Sequence, residues 1–258
     1  MAMAAPQRWL LLRGLAREAR HWGRFTQLLS ETLTAEVRTL DLVGVGTELG
    51  RAVPLTVSGI TDDLRARWRA QPGSGPAGLI AVSLGGMIAM DWCHRYAADF
   101  SRLVLINSSA GNLSPPQHRL RAPMWGRVLS TAMNRSRVDR ELSILSMTTN
   151  LVQEPQPIAE AWARFAEEKP IPRSVVARQL LAASRFSAPA RLDVPTLVLV
   201  SSADRFTHPE CSERIARRFG APVERHPSAG HDLPLDDPDW IVAQLGKWVS
   251  SPAESARV

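Results

Sequence analysis

Cysteine, tyrosine and lysine are scarce in this chain, and the gaps narrow what it can be. The two cysteines, Cys93 and Cys211, lie far apart with no metal-type spacing around them, so two buried free thiols are expected rather than a disulfide framework. His21, His94, His118, His208 and His226 also lack ligand spacing, and neither a metal nor a cofactor is implied. Lys169 and Lys247 are the only lysines, which makes the formal charge of +6 almost entirely arginine. Such a balance points weakly to an acidic partner, and no nucleic-acid partner is expected. Long apolar runs are missing too. Nothing approaches the ~20 residues of a membrane span, and Trp9 to Leu12 is too short for the hydrophobic region of a secretory signal. The expectation is a cytoplasmic protein without membrane contact. There is no internal repeat or low-complexity segment, and 258 residues can bury a full core as one α/β domain with an insertion.

What is present centres on Gly78 to Met90. Gly78 to Val82 has the length and apolar bias of a buried parallel strand, and Met87, Met90, Cys93 or His94, Ala97 and Phe100 follow at helical spacing. A strand that turns at once into a helix must bend sharply at Ser83. Small residues on either side, Ala81 and Gly85, let the backbones pass, which holds the hydroxyl up at the carboxyl end of the sheet. The N–H of Leu84 then points at whatever that hydroxyl attacks. The plainer possibility is a serine capping an ordinary helix.

The rest of the chain alternates around this turn. Arg8 to Arg13 reads as a first strand, followed by a helix with Trp22, Phe25, Leu28, Leu29 and Leu33 on its apolar stripe. Glu36 to Leu42 reads as the next strand, and Thr61 as the cap of a helix carrying Leu64 and Trp68, closed by a turn from Gln71 to Pro76. Leu103 to Ile106 is another buried strand. From about residue 112 to 190 the alternation stops in a proline-punctuated, helical stretch, and it resumes with a strand from Val194 to Val200. Thr207 and Glu210 are spaced as a capping box for a helix bearing Ile215, Ala216 and Phe219. A short strand from Val223 to His226, a glycine loop at Gly230, and a last helix from Asp237-Pro238 with Ile241, Leu245 and Trp248 complete the pattern. The tail from Ser250 is expected to fray.

Ser83, Asp204 and His231 each follow a strand, in the order Ser, Asp, His, and an open parallel sheet places its ligands at such strand ends. Asp232 is a second acid in the neighbourhood. Asn107 holds another strand end but cannot ionise, which favours Asp204 as the partner of the histidine.

Taken with Arg13-Gly14-Leu15, Asp41 to Gly46, Ala81 to Gly86, Val200 to Asp204 and Ala229-Gly230-His231, the chain resembles an α/β-hydrolase over nearly its whole length apart from the insertion. The resemblance implies a compact, mostly parallel sheet of about six strands with helices on both faces. Residues 1–111 and 191–258 would form the core, and 112–190 a helical cap. It also implies a catalytic triad of Ser83, Asp204 and His231, with the N–H groups of Leu15 and Leu84 as oxyanion hole. Where the family usually carries histidine before the glycine, this chain has Arg13, which could reach a substrate carboxylate or form a structural ion pair.

The implied activity is hydrolysis of a carboxylic ester or thioester through an acyl-serine. A carbon–carbon bond hydrolase or lyase using the same residues, or a non-catalytic binding protein, are the alternatives. Residues 112–190 carry 11 arginine and lysine residues against 6 acids, so five of the six net charges lie there. That fits a cap that draws in an acidic substrate or carrier protein, or simply a solvated basic surface. Met124, Trp125 and Trp162 are candidates to line a pocket for a small-molecule ester, or to pack cap helices together.

Overall fold

A computed structural model describes residues 6–73 and 75–250. Ser74 of the expected turn, and the tail beyond Ser250, lie outside the described residues. Six strands form one parallel sheet: β1 (Arg8–Leu12), β2 (Glu36–Thr39), β3 (Ala77–Val82), β4 (Arg102–Ile106), β5 (Thr196–Ser201) and β6 (Val223–His226), in spatial order β2-β1-β3-β4-β5-β6. In β1 and β3 to β5 successive side chains point to opposite faces, and both faces are covered. Leu10, Leu79, Leu105 and Val198 pack on one side against α2 (Val57–Ala70), α3 (Leu84–Arg95) and α9 (Glu210–Phe219). Leu11, Ile80, Val104 and Leu199 pack on the other against α1 (Phe25–Leu33) and α11 (Pro238–Ser250). Burial on two faces is why β3, β4 and β5 read as unbroken apolar runs.

Between β4 and β5 the chain makes α4 (Pro116–Arg119), α5 (Ala122–Met133), α6 (Arg137–Thr148), α7 (Pro155–Glu168) and α8 (Arg173–Arg185), and no strand. A short α10 (Leu233–Asp236) also intervenes before α11. Cys93 and Cys211 are buried free thiols, and no helix of the described residues is long and apolar enough to cross a membrane.

Local capping differs from the sequence reading in three places. β2 ends at Thr39 because Asp41 leaves the edge of the sheet to accept the N–H groups of Ala19 and Thr47 at 2.6 and 2.7 Å. The cap of α2 is Thr56, whose hydroxyl accepts Gly59 N–H at 3.1 Å; Thr61 lies inside the helix and bonds back to the Val57 carbonyl. The Thr207–Glu210 capping box does not form, since Thr207 N–H is taken by the Asp204 carboxylate at 2.9 Å and α9 starts after Pro209.

Candidate active site

The sheet order reverses at β1, so the loops after β1 and β3 diverge from the same point and leave a crevice there. Ser83 sits at that point, between β3 and α3, with φ +56° and ψ −117°. This is a strained conformation for a residue with a side chain, costing on the order of 1–3 kcal/mol. It is held by Ser83 N–H to the Ile106 carbonyl at 3.0 Å and by the Ser108 hydroxyl donating to the Ser83 carbonyl at 2.8 Å. Glycine at 85 is a steric demand. A Cβ there would lie 2.5 Å from the Leu12 carbonyl oxygen and 2.7 Å from that of Arg13, both rigid backbone. The loop leaving β1 therefore runs directly over the elbow, and a Cβ on Gly14 would come within 3.1 Å of Ser83 Cβ.

His231 and Asp204 are both buried, and Nδ1 of the imidazole lies 2.7 Å from Asp204 Oδ2. The ionised carboxylate can only accept, so Nδ1 carries the proton and the lone pair is on Nε2. The other carboxylate oxygen accepts Phe206 and Thr207 N–H at 2.8 and 2.9 Å, which fixes the plane of Asp204. Burial by itself lowers the affinity of His231 for a proton. The charge and hydrogen bond of Asp204, helped by Asp232 and opposed by Arg13, outweigh it and raise the imidazole above its ordinary value.

Two features of the site were not readable as such from the sequence. Asn107, at φ +46°, accepts Ser201 N–H at 2.9 Å and directs its amide N–H groups to the Ser201 hydroxyl and the His231 carbonyl, each at 2.9 Å. It ties β4, β5 and the histidine loop together, and since it directly follows Ile106 it also stands next to the elbow. Arg13 makes a buried two-pronged ion pair with Asp232, at 2.9 and 2.6 Å. Both terminal nitrogens of the guanidinium are taken by that carboxylate, which is the structural ion pair of the two expected alternatives. The pair holds Asp232 below the ordinary carboxylate range despite the opposing effect of burial and links the loop after β1 to the loop that carries His231.

The remaining expected positions separate. Leu15 and Leu84 follow Gly14 and Ser83, and among the described residues neither N–H is bonded to a protein acceptor. Nor does any hydrogen bond join the Ser83 hydroxyl to His231; such bonds are often long before substrate binds. Met124 is buried, whereas Trp125 on α5 is 54% exposed and donates its indole N–H to the Leu120 carbonyl at 2.9 Å. Trp162 packs with Leu145 and Ala159 and meets the His21 ring edge-on at 4.8 Å. Among the described residues no three His, Cys, Asp or Glu side chains are grouped to hold a metal.

The chain matches the alpha/beta hydrolase family over residues 9–244. A search of curated proteins finds no match. Among solved structures, an esterase from Exiguobacterium antarcticum superposes with a TM-score of 0.74 at 15% identity, covering 97% of this chain and 94% of that one. An enol-lactonase from Burkholderia xenovorans gives 0.71 at 17% identity, with 96% and 92% covered. A lipase-esterase related protein from Clostridium acetobutylicum gives 0.71 at 16%, with 96% and 97% covered. At these identities the superpositions speak for the fold alone. Together with the six parallel strands and the serine-bearing elbow, the family match establishes that the chain belongs to the alpha/beta hydrolase family.

Proposed function

We propose that this hydrolase cleaves a carboxylic ester, or the corresponding thioester, through an acyl-serine formed on Ser83. The single observation that supports the reading best is the buried 2.7 Å pair of His231 and Asp204 at the same end of the sheet as the strained Ser83. A serine hydroxyl is a poor nucleophile at neutral pH, so Nε2 of His231 takes its proton during attack and returns it to the departing alcohol or thiol. Asp204 keeps the proton on Nδ1 and stabilises the imidazolium. The N–H groups of Leu15 and Leu84 receive the oxyanion, and loss of one such donor typically costs on the order of 3–4 kcal/mol in the barrier. Water then enters by the same proton path in reverse and frees the acid. A serine at the elbow argues against chemistry that needs a carboxylate nucleophile there.

The helices from α4 to α8 act in this reading as a cap, whose net positive charge draws an acidic ester or carrier protein toward the site. A fluorophosphonate probe is expected to label the wild-type protein and leave Ser83→Ala unlabelled, read by intact mass. A wild type that the probe does not modify, and that turns over no aryl ester, would favour a non-catalytic binding protein.

A further inference from the structure

Gln179, on α8, is 0% exposed. Its Oε1 accepts the N–H of Ala16 at 3.0 Å, and Ala16 has φ +52°, a left-handed conformation that a residue with a Cβ adopts only when its surroundings hold it. The bond therefore braces the loop that passes over Ser83, from a helix more than 160 residues further along the chain. It also settles which end of the amide is which: only the oxygen can accept that N–H, so the Nε2 group is the other end. Nε2 is fully buried and has no protein acceptor. Leaving a buried polar group unpaired typically costs about 1–3 kcal/mol, and neutral side chains rarely carry that cost without a ligand or other partner.

The surroundings restrict what that partner can be. Ala16 follows Leu15, and Leu15 follows the glycine that touches Ser83. Arg13 is bound to Asp232 and Arg17 to Glu141 at 2.8 Å, while Arg13 Nε and one terminal nitrogen of Arg17 are, like Gln179 Nε2, buried without a protein acceptor. All three groups can only donate, so what they lack is an acceptor oxygen. Sheet order then says which part of the ester supplies it. The histidine loop follows β6, at one edge, and the leaving group must lie within its reach to be protonated. Gln179 is tied to the loop after β1, and one turn before it Val175 packs against Gly44, after β2 at the opposite edge. An acyl group lying opposite the leaving group across Ser83 would extend toward Gln179.

Building on the acyl-serine reading above, we propose that Gln179 is a specificity-determining residue whose Nε2 donates to an oxygen of the acyl group, so that the preferred acyl groups carry an acceptor oxygen near the scissile carbonyl. The test uses two esters of nearly equal shape, p-nitrophenyl methoxyacetate and p-nitrophenyl butyrate, in which one ether oxygen replaces one methylene. The ratio of their kcat/KM values, methoxyacetate over butyrate, is expected to fall about tenfold in Gln179→Leu, the worth of one hydrogen bond of about 1.4 kcal/mol. If Gln179 only braces Ala16, both esters slow together and the ratio stays at the wild-type value, which overturns the proposal. Gln179→Met, which keeps the length and apolar bulk, provides the same reading if the leucine variant does not fold. A wild type that hydrolyses neither ester and resists the phosphonate probe would instead overturn the acyl-serine reading, and this inference with it.

Discussion

Arg13 and Asp232 are 219 residues apart in sequence and form the tightest buried ion pair beside the candidate site. Where the family usually carries histidine, this chain has a fixed cation, and a buried fixed cation requires a fixed anion. Removing one partner leaves the other buried and uncompensated, whereas removing both leaves only a packing defect. Arg13→Met is accordingly expected to lose about 3–5 kcal/mol of stability in urea unfolding, and Arg13→Met/Asp232→Leu to regain most of it. The same pair bears on pH dependence. The folded protein raises the His231 imidazole, so the charged form is favoured and its contribution to stability is complete below the unfolded value of about 6.5 and lost as pH rises through the folded one. Catalysis needs the neutral form, so kcat/KM is expected to climb with pH through a midpoint above 6.5. Arg13 opposes protonation of His231 and Asp232 favours it more strongly, so the midpoint should move down in Arg13→Met/Asp232→Leu, where both charges are gone. A profile at or below the ordinary histidine value would count against His231 as the base.

At the level of whole elements, α6 is a brace rather than a loose flap. Its Glu141 is ion-paired to Arg17, next to the braced Ala16, and the Arg17 guanidinium lies over the Trp162 ring of α7 at 4.4 Å. Its C-terminal end is sewn into the histidine loop. Asp232 N–H donates to the Thr148 carbonyl at 2.8 Å, and Asp236 accepts the N–H groups of Asn150, Leu151 and Gly230 at 2.9, 3.0 and 2.6 Å. Gly230 is required where it stands, since a Cβ would lie 2.6 Å from the Thr148 carbonyl oxygen. Charge-assisted hydrogen bonds of this kind contribute more than neutral ones, so Asp236→Ala is expected to cost about 2–3 kcal/mol. Because the loop it frees carries His231, kcat should fall more than KM rises; both are measurable by urea unfolding and steady-state turnover of an aryl ester. By contrast, α5 presents Trp125, Leu129 and Met133 to solvent along one side. The helical character of residues 112–190 was legible in the sequence, but the anchoring of α6 was not, because Arg17, Asp232 and Asp236, which hold it, all lie outside the insertion.

Over the whole molecule the charge is lopsided, and the structure shows how part of it is used. Arg121 donates to the Asp204 carbonyl at 3.0 Å, Arg140 to that of Asn134 at 2.8 Å, and Arg178 to that of Val53 at 2.6 Å. These arginines hold loops in place. Turnover of an ester bearing a carboxylate is expected to fall several-fold between low and ~0.5 M salt, while a neutral ester of the same size changes little, because the screening length shrinks well below 10 Å over that range. Equal responses from the two esters would leave the basic cap without a steering role. Sequence alone determined the architecture, for a local reason: strand and helix periodicity, the glycines at 14 and 85, and the order of Ser83, Asp204 and His231 are all written in short stretches, each constrained by the backbone geometry it must adopt. Tertiary structure alone decided the partners of Arg13, Asn107, Asp236 and Gln179, since one side chain can meet many others in principle and only the folded packing of distant loops selects which one it reaches.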